Sequence, residues 1–585
     1  MKKLFVYISL LLFVLNANAQ YYLRGEIKDE KNQYLQNVKI LLNSDRNIYY
    51  SGTTGGFGIN CRSLKDSLTL SLDGYEVKPL NLKTDVFQQI TMKALSSNIS
   101  KNRPKLISYA KDQNFSSNYI RYISDESYFS LVENEIVNAN KFPNTGFSLN
   151  INKASYSNIR RFLNTKSLVP PDAVRIEELL NYFNLHYREP ENKDVFGVQS
   201  QLSDCPWNTT SKLLFLNVNA RKLDMDNVPP SNLVFLIDAS GSMELPNRLP
   251  LVKAAFQMLI KNLRAIDTVS IVAYGGTVSV WLPPTSGAEK QKITESIEEL
   301  TASGDTPGES AIRMAYKIAM STFIKNGNNR VILATDGDFN VGEVSEKALE
   351  DLISKEKKTG VYLTCLGVGM GNFKDSKLEI MARRGNGNYA YLDDINEAEK
   401  VLVKEVTQTF FSVADDVFLN VHFNPAVIKD YRLIGFDNKR DAIADSAGVL
   451  EGGEIGSGNS VLAIFEISLL VADSLINNGA LLSPAQVSLK YTLPASKVRK
   501  TLNYDCPANY LPFNKIDKEF QLGTAIGMFG MKLRESKYFP LYDWTEIEQI
   551  ANNAYNPANY LQKQFVQLIA TAKKIYVKKR VKTRN

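Results

Sequence analysis

Three oxygen-bearing side chains stand at two-residue intervals directly after a short apolar run. Residues 233–237 are five consecutive apolar residues, and Asp238, Ser240 and Ser242 follow them. A run of this length between turn-prone residues is typical of a strand buried on both faces of a parallel sheet. One carboxylate and two hydroxyls suit a hard cation such as Mg²⁺. The pattern predicts a cation site, although Ser, Asp and Gly are also common in ordinary turns and helix caps.

Two later stretches supply further oxygen donors at matching places. Arg330 to Asp338 reads as a second short strand that ends in acids, among them Asp336, and the loop from Ser303 to Gly308 offers Thr306. The intervals leave room for a helix and a strand between successive donors. Because open parallel sheets place ligand sites at the carboxyl ends of their strands, we expect these side chains to meet.

This combination resembles the metal-ion-dependent adhesion site of the von Willebrand factor type A (VWA) family. The resemblance implies that the two serines and the threonine or its water bind the metal, and that the acids bind it directly or through water. It also implies Mg²⁺ or Mn²⁺ as the ion, and a protein partner whose carboxylate fills one open coordination position. Carried over by position, the metal ligands are Asp238, Ser240, Ser242, Thr306 and Asp336.

Other chemistries fit the sequence less well. The glycines within 367–371 follow a predicted strand, but the last glycine of a dinucleotide-binding motif is missing. A phosphatase of the haloacid type needs a second aspartate where Ser240 stands. Zinc hydrolysis needs His or Cys ligands, and His186 and His422 are far apart in sequence. No nucleophile and base pair is recognisable, so we expect a binding protein and assign neither catalytic nor cofactor-binding residues.

Residues 231–412 alternate strand and helix patterns, as a doubly wound, Rossmann-like α/β sheet requires. We therefore expect the VWA domain to cover this segment. After the first strand, the predicted strands are Thr268 to Ala273, Val331 to Ala334 and Val361 to Leu366. The predicted helices begin with the one that carries Leu251, Ala255, Met258, Leu259 and Leu263, followed by Lys290 to Leu300, Ser310 to Phe323, Ser345 to Lys355, Ser376 to Arg384 and Glu397 to Phe411.

The N-terminal part of this multidomain chain reads as a secretory signal followed by an all-β sandwich. Residues 1–19 combine two lysines, an apolar stretch and a small-x-small cleavage site, and the stretch is short for a membrane anchor. They predict an exported protein of the periplasm, the cell envelope or the external medium. Residues 20–95 show alternating apolar residues and resemble the carboxypeptidase regulatory-like sandwich. Residues 96–145 read as a linker with one helix near Glu126 to Ala139.

The regions on either side of the VWA segment resemble those of a group of exported bacterial VWA proteins. In region 146–230 the resemblance lies in ASYSNIRRFLN (154–164), PPDAVRIEELLNYF (170–183) and CPWN (205–208). In region 413–575 it lies in FNPAVIKDYRLIGFDN (423–438) and GGEIGSGNSVLAIFEI (452–467). The first region predicts a helix after Pro-Pro-Asp whose apolar face is Val174, Leu179, Leu180 and Phe183. The second predicts an α+β domain with a strand near 487–493 and helices from Asp517.

The charge distribution excludes one class of partner. The formal charge is +7, but the last 13 residues alone hold seven Lys or Arg and no acid, so the body of the chain is near neutral. A near-neutral body argues against nucleic-acid binding. The basic tail, 576–585, would touch an anionic membrane surface weakly or form a solvated helix end, and we expect it to bury little apolar surface. Of the four cysteines, Cys205 and Cys506 are predicted to pair if any disulfide forms.

We therefore expect an exported adhesion or scaffold protein that captures a partner carboxylate through a divalent cation. Two alternatives remain at this stage. One is a structural envelope protein with a vestigial metal site. The other is a VWA subunit that assists a chelatase-type ATPase, although such subunits work in the cytoplasm, in conflict with the signal segment.

Overall fold

The computed structural model divides the chain into two compact units, residues 1–118 and 119–585. It describes residues 21–582 except 31, 37, 45–47, 53, 62, 73–74, 94–125, 130, 193, 225–227, 305–307, 338–345, 371–372, 437–452, 471–481, 495 and 540–542. The predicted signal segment, 1–19, lies outside the described residues.

The first unit contains two small β-sheets, as its alternating apolar residues predict. Ile40 pairs with Leu70 and Leu42 with Leu68, and these side chains are buried between the sheets together with Val38. Membership in the carboxypeptidase regulatory-like family stays a prediction. One sheet has the order β4-β1-β7 and the other β3-β2-β5-β6. The strands are β1 (Tyr21–Asp29), β2 (Lys39–Leu42), β3 (Ile48–Tyr50), β4 (Gly56–Cys61), β5 (Lys65–Ser71), β6 (Lys78–Lys83) and β7 (Gln88–Met92).

The centre of the second unit is a six-stranded sheet with the order β14-β13-β12-β15-β16-β17, parallel except at its β14 edge. All eight residues of β12 are buried, so the predicted two-sided burial is confirmed. The sequence did not predict β14, an edge strand that tolerates two prolines and exposes Trp281, or the four-residue β17. The strands are β12 (Ser231–Asp238), β13 (Thr268–Gly275), β14 (Thr277–Ser286), β15 (Asn328–Thr335), β16 (Tyr362–Val368) and β17 (Tyr389–Leu392).

The helices of the central domain match the predicted ones closely, with one exception. The helix expected over Glu397 to Phe411 is divided by a π-helical turn, Lys400–Lys404, where the Glu405 amide donates to the Lys400 carbonyl at 2.8 Å. The helices of this domain are α3 (Leu249–Lys261), α4 (Lys290–Glu298), α5 (Gly308–Ser321), α6 (Glu346–Lys357), α7 (Asp375–Arg384), α8 (Ile395–Glu399) and α9 (Val406–Phe410).

The segments before and after the central domain build two shared sheets. Strand β11 (Lys212–Ala220) pairs along its length with β21 (Ser460–Leu469), so neither segment completes a sheet alone. The orders are β24-β10-β11-β21-β19-β8 and β20-β18-β22-β23, with β9 on β18. The other strands are β8 (Val137–Asn138), β9 (Asn144–Ser148), β10 (Phe196–Asp204), β18 (Ser412–Phe423), β19 (Ile428–Ile434), β20 (Gly453–Gly456), β22 (Ala485–Thr492), β23 (Arg499–Cys506) and β24 (Tyr510–Leu511).

Helices from both segments share one apolar cluster against these sheets. The two regions that the sequence analysis separated, 146–230 and 413–575, are therefore one α+β body. Its helices are α1 (Ala154–Asn164), α2 (Ile176–Asn181), α10 (Lys518–Leu533), α11 (Trp544–Ala554) and α12 (Tyr560–Lys582). No helix in the described part of the chain has the length and apolar composition needed to cross a bilayer.

Two local predictions are wrong in this body. Instead of a helix over Glu126 to Ala139, the described residues there are non-helical, and β8 pairs with β19. The reason is tertiary, because the Asn134 side-chain amide donates to the carbonyl of Leu433 in β19 at 3.1 Å and to that of Gly435, directly after β19, at 2.7 Å. The helix expected after Pro-Pro-Asp begins only at Ile176, so the buried Val174 lies before it in extended backbone.

The basic tail begins later than predicted. Helix α12 continues to Lys582, and Tyr576 lies within it. The Tyr576 ring lies 5.5 Å from Trp544, and its hydroxyl accepts a hydrogen bond from the Val169 amide at 3.1 Å. A tail that starts at Tyr576 would therefore include a side chain that packs against the body.

The predicted disulfide between Cys205 and Cys506 is absent. Both thiols are unoxidised and buried, and they lie in two different apolar clusters. Burial raises the pKa of the Cys506 thiol to about 11, which disfavours the reactive thiolate. Cys365 is a buried thiol in β16, as its apolar surroundings predict.

Candidate metal centre

The predicted donors gather at the carboxyl edge of the central sheet. Asp238 is the last residue of β12, and a 3₁₀ turn, Gly241–Glu244, follows Ser240. Asp238 is fully buried and Ser240 is nearly so, whereas Ser242 is partly exposed. The buried strand therefore fixes the carboxylate, and the turn presents the hydroxyls above it.

Hydrogen bonds orient this first loop. The Ser240 amide donates to Asp238 Oδ1 at 2.9 Å, and the Thr335 hydroxyl donates to Asp238 Oδ2 at 2.7 Å. The Ser240 and Ser242 hydroxyl oxygens are 3.2 Å apart. Both oxygens of the carboxylate are thus held, and the two hydroxyls face the same space.

A second loop docks on the first. The Gly241 amide donates to the Gly304 carbonyl at 3.0 Å, and the Ser303 amide donates to the Ala239 carbonyl at 2.7 Å. The approach requires Gly275, because a Cβ there would stand 2.3 Å from the Ala239 carbonyl oxygen. These contacts bring Gly304 of the second loop next to the site. The predicted ligand Thr306 lies outside the described residues.

Asp336 directly follows β15 and is fully buried. Arg248, the residue before α3, donates from Nη1 to Asp336 Oδ2 at 2.5 Å and to the Ser242 carbonyl at 2.7 Å. Its Nη2 donates to the Met370 carbonyl at 2.9 Å. Gly369 makes room for the guanidinium, because a Cβ there would lie 2.6 Å from Arg248 Nε. One buried arginine therefore connects three loops of the site.

The two acids differ in their electrostatic surroundings. Burial raises the pKa of Asp238 to about 6, the hydrogen bonds from Ser240 and Thr335 oppose this shift, and the negative charge of Asp336 adds to it. Asp336 has the guanidinium of Arg248 as a direct ion-pair partner. A cation among these donors would stabilise the charged form of Asp238.

The described donors fit a hard cation. Ligand oxygens about 2.1 Å from an octahedral Mg²⁺ are about 3 Å apart, which is close to the separation of the two serine hydroxyls. The described donors are carboxylates and hydroxyls, with no imidazole or thiolate among them. Asp238, Ser240, Ser242 and Asp336 would hold the ion, whose chemistry is to bind an anionic oxygen at a free position.

Two further residues of this site, Thr335 and Arg248, were not predicted from the sequence. Thr335 could have been suspected, because it directly precedes Asp336 at the end of a strand that pairs with β12. Arg248 carries no comparable signal, since its partner Asp336 is 88 residues away.

A second cluster of possible ligands has another explanation. One donor atom each of His186, Asp517 and Glu519 lies within 4.8 Å of the others. Asp517 caps α10 by accepting from the Glu519 amide at 2.8 Å, and Glu519 accepts from the His186 amide at 2.6 Å. The capping of this helix accounts for the cluster.

Three family models match the chain. The model described as von Willebrand factor type A domain matches residues 233–338, which include most of β12 and all of β13, β14 and β15. The model described as von Willebrand factor matches 122–215, and the model described as Uncharacterized protein YfbK, C-terminal, matches 408–575. The last two matched segments lie mostly in the α+β body, whose sheets contain strands from both of them.

Solved structures with low sequence identity also resemble the chain. A von Willebrand factor type A protein from Catenulispora acidiphila is 16% identical with a TM-score of 0.33, covering 54% of this chain and 75% of that one. The conserved hypothetical protein BatB from Bacteroides thetaiotaomicron is 20% identical with a TM-score of 0.26, covering 30% of this chain and 97% of that one.

The relatives of known sequence differ in the share of this chain that their similarity covers. Inter-alpha-trypsin inhibitor heavy chain H2 of Sus scrofa is 26% identical over 208 residues, which are 34% of this chain and 22% of that protein. The Uncharacterized protein YfbK of Escherichia coli is 34% identical over 467 residues, which are 76% of this chain and 80% of that protein. The chain therefore belongs to the YfbK family of von Willebrand factor type A domain proteins.

Proposed function

We propose that this chain is an exported protein-binding protein that captures a carboxylate of its partner through Mg²⁺ or Mn²⁺. The observation that carries the proposal is the convergence of Asp238, Ser240, Ser242 and Asp336 at the carboxyl edge of the central sheet. Thr306 is proposed as the fifth ligand. The role is binding rather than catalysis, and export rests on the secretory pattern of residues 1–19.

The ligand chemistry supports capture of an anion. Hydroxyl ligands are neutral, so they reduce the charge of a divalent ion less than carboxylates would. Arg248 adds a positive charge beside Asp336. The ion would therefore stay attractive to one more anionic oxygen, and a carboxylate on a protein surface supplies it.

Titration calorimetry of the full-length chain with MgCl₂ and MnCl₂ tests the metal site. We expect saturable binding that Asp238→Ala abolishes and Ser242→Ala weakens without unfolding. The matched control is Glu299→Ala, an exposed acid of the same domain, which should bind the ion as the unchanged protein does. Absence of ion binding by the unchanged protein would exclude this function and favour a structural role.

Partner capture is tested separately with envelope extract. Proteins retained by the immobilised chain in millimolar Mg²⁺ are expected to elute with EDTA and to be absent when Asp238→Ala is used. Retention that is indifferent to both EDTA and the substitution would contradict cation-mediated capture.

A further inference from the structure

A large cleft lies at the opposite edge of the central sheet from the metal centre. It encloses about 750 Å³ and is bordered by the loops that enter β15 and β16. Arg330 of β15 lines the cleft, and the six residue steps from Arg330 to Asp336 span about 20 Å at about 3.3 Å per residue. The volume is within the range of small-molecule sites. The cleft is therefore distinct from the proposed cation site.

The cleft combines an apolar wall with a basic rim. Phe323, Phe411 and Val413 contribute to the wall, and the Phe323 side chain is 39% exposed. Six Lys or Arg line the cleft and no Asp or Glu does, among lining residues that are all described. This is a marked local excess, because the chain without its termini is near neutral.

Two of the six cations are already neutralised. Arg330 is buried and pairs with Glu454, with Nη1 to Oε1 at 3.0 Å and Nη2 to Oε2 at 3.1 Å. Lys497 lies 3.3 Å from Asp415. The buried Arg330 is therefore not available to a ligand, and the charge of Lys497 is offset by Asp415.

The remaining cations lack a described counter-ion. Arg221 Nε donates to the neutral Asp194 carbonyl at 2.8 Å. Lys325 and Lys358 are exposed and Lys357 is partly so, and within the described residues none of the three forms an ion pair. Four positive charges thus surround an apolar wall, an arrangement complementary to a negative group on an apolar body.

We propose that this cleft binds an amphiphilic anion, in which a carboxylate, sulfonate or phosphate is attached to an apolar body. The apolar body lies against the phenylalanine wall and gains from burial of its surface. The acidic group pairs with the lysines at the rim, which are free to adjust to its position. The ligand is either a soluble amphiphile or a headgroup in an anionic bilayer. This binding is independent of the cation site.

Fluorescence titration of the full-length chain tests the proposal with 8-anilinonaphthalene-1-sulfonate. N-phenyl-1-naphthylamine, which has the same apolar body without the sulfonate, is the uncharged comparison. We expect the sulfonate to bind at least about tenfold more tightly than the neutral probe. We also expect 0.5 M NaCl to lower the affinity for the sulfonate and not that for the neutral probe. Equal binding of the two probes would overturn the proposal.

Reversing the charge of two lysines at the rim tests whether the probe binds in the cleft. Lys325→Glu/Lys358→Glu should weaken sulfonate binding at least about tenfold and leave the neutral probe unchanged. Lys317→Glu/Lys515→Glu makes the same charge change at exposed lysines outside the cleft and should bind as the unchanged protein does. If the reversed variant is unstable, Lys325→Ala/Lys358→Ala should give a smaller loss in the same direction. Unchanged sulfonate binding in either folded variant would overturn the proposal.

Sedimentation with vesicles distinguishes the two sources of the anion. Binding to phosphatidylglycerol but not phosphatidylcholine vesicles, lost in Lys325→Glu/Lys358→Glu, identifies a bilayer headgroup. Cleft-dependent sulfonate binding without cleft-dependent vesicle binding identifies a soluble amphiphile. Either result supports the binding of an amphiphilic anion in the cleft. If the lysine substitutions weaken neither sulfonate binding nor vesicle binding, the proposal is contradicted.

Discussion

Arg248 is predicted to weaken cation binding by its charge while it stabilises the site in the absence of the ion. Its Nη1 lies 2.5 Å from Asp336 Oδ2, and both side chains are almost fully buried. Removing one partner of such a pair costs about 3–5 kcal/mol, because the other charge is left buried and unpaired. We therefore expect Arg248→Met to destabilise the cation-free protein by about this amount.

The same substitution should tighten cation binding. A divalent ion that shares the Asp336 carboxylate with the guanidinium would lie about 6 Å from the guanidinium, and at an effective dielectric constant near 20 the repulsion is about 5.5 kcal/mol. Salt and structural relaxation reduce this value, so we expect a net gain of about 1.4 kcal/mol or more, which is about tenfold in affinity. Arg248→Lys keeps the charge and should stay within about threefold of the unchanged protein.

Calorimetric titration of the full-length variants with MgCl₂ checks these values, and EPR of free Mn²⁺ provides a second measurement. If Arg248→Met proves unstable, Arg248→Gln removes the charge and keeps a hydrogen-bond donor. The matched control is Arg264→Met, which breaks another arginine–aspartate pair of the same domain, with Asp267. A loss of about 10-fold to 100-fold in affinity in both Arg248→Met and Arg248→Lys would refute the reasoning, because Arg248 would then act by orienting Asp336.

Two further predictions concern the second compact unit, residues 119–585, in which all three tryptophans lie and report unfolding by fluorescence in urea. Ending the chain after Val577 should leave the unfolding midpoint unchanged. Removing Tyr576 and Val577 as well should lower the free energy of unfolding by about 1–2 kcal/mol, because Tyr576 packs on Trp544. Equal midpoints for the two truncated chains would contradict this. Glu454→Gln should cost about 3–5 kcal/mol, since it leaves Arg330 buried without a counter-ion, and an unchanged midpoint would show that the pair is not needed.

The central sheet was predictable because each of its inner strands carries its own apolar run. Burial on both faces requires consecutive apolar residues, and β12, β15 and β16 show them in sequence. Strand β14 escaped prediction because an edge strand needs no such run, and β17 because four residues give too short a pattern. The buried core of a sheet is therefore encoded locally, and its edges are not.

The same distinction applies to the metal centre. Asp238, Ser240 and Ser242 form a local pattern, and Asp336 follows from the rule that parallel strands end at one edge. Arg248 depends on the absence of a Cβ at Gly369, far away in sequence, and no local pattern reveals such an approach. The shared sheets of the α+β body were missed for this reason too, because each strand pairs with a partner in the other segment.

The attachment of the central domain to that body affects how partner capture can proceed. Arg160 of α1 pairs with Asp393 and Glu397 at the start of α8, and Arg175 pairs with Asp375 at the start of α7 at 2.6 Å. All of these side chains are at most 7% exposed. Shifting α7 or α8 would break buried ion pairs at about 3–5 kcal/mol for each one lost, which is a large part of the binding energy of a micromolar partner. We therefore expect the partner to bind a rigid central domain, with adjustment confined to the loops at the metal centre.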